Sequence, residues 1–240
     1  MKLDARNNEC TLKVIARIHN DFPTKFGLPR QSGLISTLQS EIVFEPAYRN
    51  PDALRGLDGY THLWLIWGFS GFDRETWSPM VRPPRLGGNI RMGVFATRSP
   101  NRPNPIGLSS VRLDHIIYDD LKGTTLIVSG ADLMDNTPIF DIKPYLAYAD
   151  SHPEATGGFA DTRQFSQLQV RFPDNWLAVI PLDRQQTLFD VLAGDPRPAY
   201  QDDPTRVYGF FYAGFDVHFT VADNVLTVVG IIAVSEPSKA

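Results

Sequence analysis

Six arginines fall between Thr76 and Leu113: Arg82, Arg85, Arg91, Arg98, Arg102 and Arg112. The stretch, TWSPMVRPPRLGGNIRMGVFATRSPNRPNPIGLSSVRL, holds no lysine, aspartate or glutamate. It carries +6 in a chain whose net charge is −4, so the remainder carries −10. Positive charge gathered at one place on an acidic protein points to a local anion-binding site, not to a generally basic coat. Arginine presents a planar fork of donors suited to carboxylate, phosphate or base edges. Six prolines and four glycines lie among these arginines. Proline stiffens the backbone and glycine admits close approach, so the loop holds its charges at set positions. On composition alone, an ordinary solvated loop is the competing reading.

A second group of candidates is acidic. The run DLMDNTPIFDIKPY, Asp132 to Tyr145, supplies Asp132, Asp135 and Asp141 with Lys143. Aspartates beside a turn usually cap it. They serve as acid, base or ribose ligand only if the fold points them at the arginine loop. Two further polar loops belong with these, PRQSG at Pro29 to Gly33 and RPPRLGGN at Arg82 to Asn89. Nucleophile-elbow, Walker, dinucleotide-binding and zincin motifs are absent. The five histidines stand singly, and His62, inside an aromatic run, reads as a core or pocket-edge residue. Cys10 is the single cysteine, which excludes an internal disulfide and any cysteine-based metal centre. No metal is expected.

The elements that must position these residues are mostly strands. Thr11–Ile18, Glu41–Glu45, Tyr60–Phe69, Asn89–Ala96, Leu108–Ile117, Gly123–Ser129 and Pro138–Leu146 each read as one, separated by Gly/Pro turns. The segment PDALRGLDG reads as one or two helical turns. Such a series argues for an all-β sandwich or barrel over residues 1–150, and no βαβ alternation appears. Residues 151–161 read as a linker and 162–240 as a smaller α+β domain. There, Phe165–Phe172 reads as a strand and Asp183–Ala193 as a helix with Asp183 at its N-cap and Gly194 as its stop. The last forty residues read as strands joined at Asp223–Asn224. The predicted fold is mainly β, an N-terminal β-barrel with a smaller C-terminal α+β domain. With 42% hydrophobic residues, a full core is expected. No signal region or membrane-length apolar run is evident, so a cytoplasmic protein is expected.

Several motifs together resemble the TsaA-like, or TrmO, family of S-adenosylmethionine-dependent tRNA methyltransferases. These are GVFATRSPNRPNPIGLSSVRL, VRPPRLGGN, KF-x-x-PRQ-x-G (Lys25 to Gly33), D-x-TP-x-x-DIKPY ending at Tyr145, and DPRPAY (Asp195 to Tyr200). The resemblance spans nearly the whole chain. It implies methylation of N6 of N6-threonylcarbamoyladenosine at position 37 of tRNA, next to the anticodon. It also implies a β-barrel cofactor domain working as a homodimer.

Carried over by motif, the implied cofactor contacts are Gln31, Ser32, Gly33, Phe69, Ser70, Arg98, Leu108, Asn136, Thr137, Pro138 and Ile139. Ser32 stands where many relatives have proline, and Asn136 where many have glycine. Phe69 and Leu108 suit an apolar slot for adenine, and Arg98 or backbone N–H groups suit the cofactor carboxylate. Asp135 is the candidate base for the N6 proton. Arg85, Arg91, Arg102 and Arg197 are the candidate tRNA contacts, with Tyr200 beside the last. Without the resemblance, the leading alternative is a non-catalytic nucleic-acid-binding β-barrel. An enzyme acting on anionic small molecules comes next, and a protein-interaction module after it.

Overall fold

The computed structural model describes residues 2–4, 9–71, 76–119, 123–162, 167–197, 201 and 203–234, with the side chains of residues 2–4, 9, 85 and 162 excepted. Six strands close into a barrel: β1 (Ala16–His19), β2 (Gln39–Phe44), β3 (His62–Gly68), β4 (Ile106–Asp119), β5 (Gly123–Ser129) and β6 (Thr137–Pro144). Their order around the barrel is β6-β1-β2-β5-β4-β3, and every neighbouring pair is antiparallel. Closure leaves no exposed sheet edge. The barrel core is aliphatic, with Ile18, Ile42, Leu63, Leu65, Leu126, Val128 and Ile139 fully or almost fully buried.

Period-two burial sets which side chains the long strand β4 presents. Gly107, Ser109, Val111 and Leu113 point inward, while Ile106, Leu108 and Arg112 point outward. Gly107 faces Trp67 on β3, and a β-carbon at Gly107 would stand 2.2 Å from the indole ring. Glycine here is what lets the tryptophan lie against its neighbour strand.

The predicted strand Asn89–Ala96 is corrected. Only Met92–Gly93 pair, with Met80–Val81, and Val94–Ala96 form a 3-10 turn. This stretch is pinned by loop bonds such as Val94 N–H to Pro79 O at 3.0 Å, not by a sheet. The predicted linker, residues 151–161, also carries structure, a 3-10 turn at Gly158–Thr162, and a short helix at Ala147–Asp150 precedes it.

A second sheet has order β7-β10-β9-β8, from β7 (Gln169–Arg171), β8 (Tyr208–Tyr212), β9 (Phe215–Ala222) and β10 (Val225–Ala233). Only the β7–β10 pair is parallel. The helix α1 (Leu182–Ala193) buries Leu188, Val191 and Leu192, as its spacing predicts. Its N-cap is Pro181, so Asp183 sits in the first turn, where a negative charge still favours the helix dipole. The hairpin turn Asp223–Asn224 has φ of 49° and 62°, the left-handed pair a tight two-residue turn requires.

The loop between β1 and β2 leaves the barrel and packs into the second core. Phe22, Ile35 and Leu38 are buried in the same apolar cluster as α1 and the second sheet. Phe22 packs on Tyr212 with ring centroids 5.2 Å apart, and Asp21 pairs with Arg184 at 2.9 Å. Thr37 Oγ1 donates to Asp190 at 2.6 Å, and Thr187 Oγ1 donates to Thr37 O at 2.9 Å. Burial raises the Asp21 carboxyl above its ordinary range, and Arg184 opposes that shift. The same surroundings push the Tyr212 hydroxyl well above its usual range, chiefly by burial.

Candidate functional site

A cleft of about 2350 Å³ opens beside the barrel wall. It is larger than the few hundred to a thousand Å³ that one small ligand fills. Its lining draws on separate parts of the chain: the β1–β2 loop, the arginine stretch, the outward face of β4, and the segment after α1.

Four of the cofactor residues predicted from the motifs line this cleft, namely Gln31, Phe69, Arg98 and Leu108. The Arg98 guanidinium donates to Gln31 Oε1, and Gln31 Nε2 donates to Arg30 O, so one network spans the two loops. Leu108 keeps 55% of its surface exposed because it lies on the outward register of β4. Phe69 packs on Trp67 at 4.5 Å between centroids, and its backbone N–H donates to Pro105 O at 3.2 Å.

The other predicted cofactor residues are not among those that line the cleft. Gly33 N–H donates to Gly130 O at 2.8 Å, tying the β1–β2 loop to the end of β5. Ser70 Oγ and Thr137 Oγ1 are 2.9 Å apart, which joins the end of β3 to the start of β6. Asn136 has φ of 62°, a conformation glycine adopts without strain and asparagine tolerates better than most residues. Arg17 donates to Asn136 O at 3.1 Å and steadies the turn. Pro138 and Ile139 follow on β6, Ile139 fully buried.

The three aspartates of the acidic run take different partners. Asp135 Oδ1 lies 3.1 Å from His19 Nδ1 and accepts from the Asn20 backbone N–H at 3.2 Å. Asp141 pairs with Lys143 at 3.1 Å. Asp132 lines the cleft. It accepts from Ser109 Oγ at 2.6 Å, and Ser109 Oγ accepts from Trp67 Nε1 at 3.0 Å. Burial raises the Asp132 carboxyl above its usual range, opposed by the Ser109 hydroxyl, nearby backbone N–H groups and the Arg98 charge. The motifs did not single Asp132 out as a cofactor residue; the signal was its inclusion among candidates that had to face the arginine loop.

The predicted tRNA arginines also divide. Arg91 is exposed on the cleft, where it is joined by Arg82, which is not among the predicted contacts. Arg102 is turned into its own loop, donating to Ser99 O, Thr97 O and Val94 O at 3.1, 2.7 and 3.2 Å. Arg197 grips Asp195 through Nε at 2.8 Å and Nη2 at 3.0 Å, with 11% of its side chain exposed. The Arg85 side chain and Tyr200 lie outside the described residues. His62 is exposed at the start of β3, with Nδ1 3.0 Å from Thr61 Oγ1, and does not reach the cleft. Among the described residues, no group of three or more His, Cys, Asp or Glu is placed to hold a metal.

This arrangement suits S-adenosylmethionine. A guanidinium, a carboxylate and an exposed apolar wall meet in one cleft, matching a ligand that combines a carboxylate, cationic groups and an adenine ring.

Comparison with known proteins agrees. The family model for the tRNA-methyltransferase O N-terminal domain matches residues 17–151, and that for the TrmO C-terminal domain matches residues 165–234. An Escherichia coli (strain K12) tRNA (adenine(37)-N6)-methyltransferase is 40% identical over 218 residues, covering 87% of this chain and 92% of that one. An Eikenella corrodens protein of the same name is 43% identical over 176 residues, covering 73% and 98%. Relatives from Pseudomonas aeruginosa and Methanothermobacter thermautotrophicus carry S-adenosylmethionine in their names. The crystal structure of TrmO from Pseudomonas aeruginosa superposes with a TM-score of 0.73 at 29% identity, over 93% of this chain and 99% of that one. Matched in both halves of its sequence and in its fold, the chain belongs to the TrmO family of tRNA methyltransferases.

Proposed function

We propose that this chain transfers a methyl group from S-adenosylmethionine to N6 of N6-threonylcarbamoyladenosine at position 37 of tRNA. It is a tRNA methyltransferase acting at adenine 37, as its relatives' names state of them. The observation that carries the reading is the convergence of Gln31, Phe69, Arg98 and Leu108, far apart in sequence, on one cleft.

S-adenosylmethionine, when bound, supplies an electrophilic methyl carbon. The work of this chain is to bind, orient and take up a proton. Arg98 and Gln31 receive the cofactor's carboxylate end, and Phe69 and Leu108 its adenine, while Ser32, Gly33, Ser70 and Asn136 to Ile139 are assigned to the cofactor by their motifs. Holding the target nitrogen in line with the methyl group lowers the barrier by several kcal/mol through positioning alone, about 7 or more in favourable cases. Asp135, which is not among the residues lining the cleft and has His19 as its hydrogen-bond partner, is kept as the proposed acceptor of the N6 proton on the resemblance alone. Arg85, Arg91, Arg102 and Arg197 are assigned to the tRNA. For Arg102 and Arg197 the bonds above make that role one of shaping the surface that the RNA meets.

A homodimer in the cytoplasm completes the proposal. Trp77, Met80, Ile90, Phe95 and Ile106 are large apolar residues left exposed around the arginine stretch, which supports burial against a second copy. No helix among the described residues is long and apolar enough to cross a membrane.

The test is methyl transfer from labelled S-adenosylmethionine to threonylcarbamoylated tRNA, alongside cofactor titration. Arg98→Ala is expected to weaken cofactor binding about ten- to hundredfold, the worth of a charge-assisted hydrogen bond. A wild-type protein that binds the tRNA and transfers no methyl group would favour the non-catalytic barrel.

A further inference from the structure

The motif KF-x-x-PRQ-x-G brings Gln31 to the cleft, but its first two residues, Lys25 and Phe26, have no part in the reading above. Phe26 is half exposed and forms one wall of a second pocket, of about 270 Å³. The opposite wall comes from the segment after α1 and the start of β8, with Arg197, Arg206 and Tyr208. The volume falls below that of a drug-sized ligand site and suits one planar ring system.

The walls are rigid. Tyr208 stacks on Phe219 with centroids 5.6 Å apart and 25° between planes, and Phe219 meets Phe210 at 6.1 Å. Gly27 lies against the Phe210 ring, so the loop that carries Phe26 is seated on the same aromatic stack. Arg206 lies over Tyr208, its Cζ 5.5 Å from the ring centroid. Tyr208 is buried, which leaves the Phe26 ring and the Arg206 guanidinium as the surfaces the pocket presents. Both are planar groups on which a nucleobase stacks.

The charge around the pocket is of one sign. Among the described residues its lining holds two arginines and no carboxylate. Asp195 nearby is held by Arg197, and Asp203 accepts from the Thr205 N–H at 2.9 Å and Thr205 Oγ1 at 2.7 Å. Lys25 is exposed beside Phe26, with Nζ 5.8 Å from its ring centroid. Aromatic surface rimmed by cations is the pattern that holds unpaired RNA, base on the ring and phosphate on the charge.

The pocket also has a fixed place relative to the cleft. Phe26, Pro196 and Arg197 line both. Arg30 donates to Asp195 O at 3.0 Å and to Arg197 O at 3.1 Å, tying the loop that carries Phe26 and Gln31 to the wall they share. An RNA strand with its target nucleotide in the cleft therefore passes a neighbouring nucleotide across the pocket.

We propose that this pocket receives the unpaired base of a nucleotide flanking position 37, stacked on Phe26 and Arg206, with Lys25 at its phosphate. The proposal rests on the tRNA reading above. It adds an RNA-recognition site outside the arginine stretch.

A double-mutant cycle between protein and RNA tests it. The RNA is a threonylcarbamoylated anticodon stem-loop, intact or abasic at position 36 or 38. Phe26→Ala is expected to weaken the intact stem-loop about five- to hundredfold, the worth of one stacked base. One of the two abasic RNAs should weaken wild-type binding by a similar factor, and in Phe26→Ala it should cost no more than about twofold, because the same contact is already gone. Phe26→Trp should keep the stem-loop affinity. Affinity for S-adenosylhomocysteine and the melting temperature should stay near wild type in Phe26→Ala, since the ring is half exposed. Arg206→Ala should give the same cycle at smaller size. Additive losses at both abasic positions, or no loss in Phe26→Ala, overturn the proposal and leave the tRNA reading standing. Failure of the wild type to bind the intact stem-loop overturns the tRNA reading and the proposal together. If Phe26→Ala does not fold, the cycle in Arg206→Ala decides.

Discussion

Two aspartates three positions apart show how little residue type alone decides. Asp132 and Asp135 sit in one short motif, yet Asp132 faces the cleft and Asp135 faces His19 and Asn20. The difference is made by what each carboxylate meets on neighbouring strands, Ser109 on β4 for one and the end of β1 for the other. Their predicted phenotypes differ accordingly. Asp135→Asn should lower kcat by about 10²-fold or more, as expected for loss of a general base, with cofactor affinity unchanged. Single-turnover methylation beside a cofactor titration checks this, and normal turnover in the folded variant removes Asp135 from the chemistry. Asp132→Asn should act first on cofactor affinity. The arginines repeat the lesson. Arg91 stands exposed, whereas Arg102 spends its donors on three carbonyls of its own loop.

Among the elements, the β1–β2 loop decides the most. It carries Gln31 to the cleft at one point and buries Phe22, Ile35 and Leu38 in the second core at others. Gly27 sits between, with φ of 83°, where an added β-carbon would lie 2.3 Å from the Phe210 ring. Gly27→Ala therefore meets both a strained backbone and a clash. It is expected to cost about 1–3 kcal/mol, which in a chain of this size lowers Tm by roughly 2–12 °C. Thermal unfolding measures it, and an unchanged Tm would mean that this loop and β8 are not packed as described. Because the loop also carries Gln31, cofactor affinity should fall with stability in this variant. The arginine stretch works differently. It has little regular structure, and its shape is set by prolines, Arg102 and bonds such as Ser78 N–H to Asn101 O at 3.0 Å.

Over the whole molecule, charge is divided between an acidic body and one basic stretch. The total of −4 predicts repulsion from RNA at long range, and the +6 of residues 76–113 predicts attraction at the cleft. Binding of tRNA should therefore weaken steeply with salt, in spite of the net charge, because each phosphate contact releases counterions. Arg91→Ala should reduce the slope of log K against log salt by about 1. Filter binding across a salt series gives the slope, and an identical slope in the variant would take Arg91 out of the RNA contact. The size of the cleft fits the same picture, since it exceeds the needs of the cofactor by itself.

Much of this protein is legible in its sequence. Short β-branched runs between Gly/Pro turns mark the barrel strands, because strand alternation and turn chemistry are local properties. The spacing of Leu188, Val191 and Leu192 marks α1, and the pair Asp223–Asn224 marks its hairpin, for the same reason. The long motifs carry the family. Local pattern misreads Asn89–Ala96 as a strand, since its apolar residues serve loop packing and no partner strand is offered across most of its length. The Asp183 N-cap fails because Pro181, with its extended backbone, already starts the helix. Which loops share a cleft, which arginines stay free of their own loop, and which of three aspartates faces the arginine stretch are decided by contacts between segments far apart in the chain. Those depend on barrel closure and strand register, which only the tertiary structure supplies.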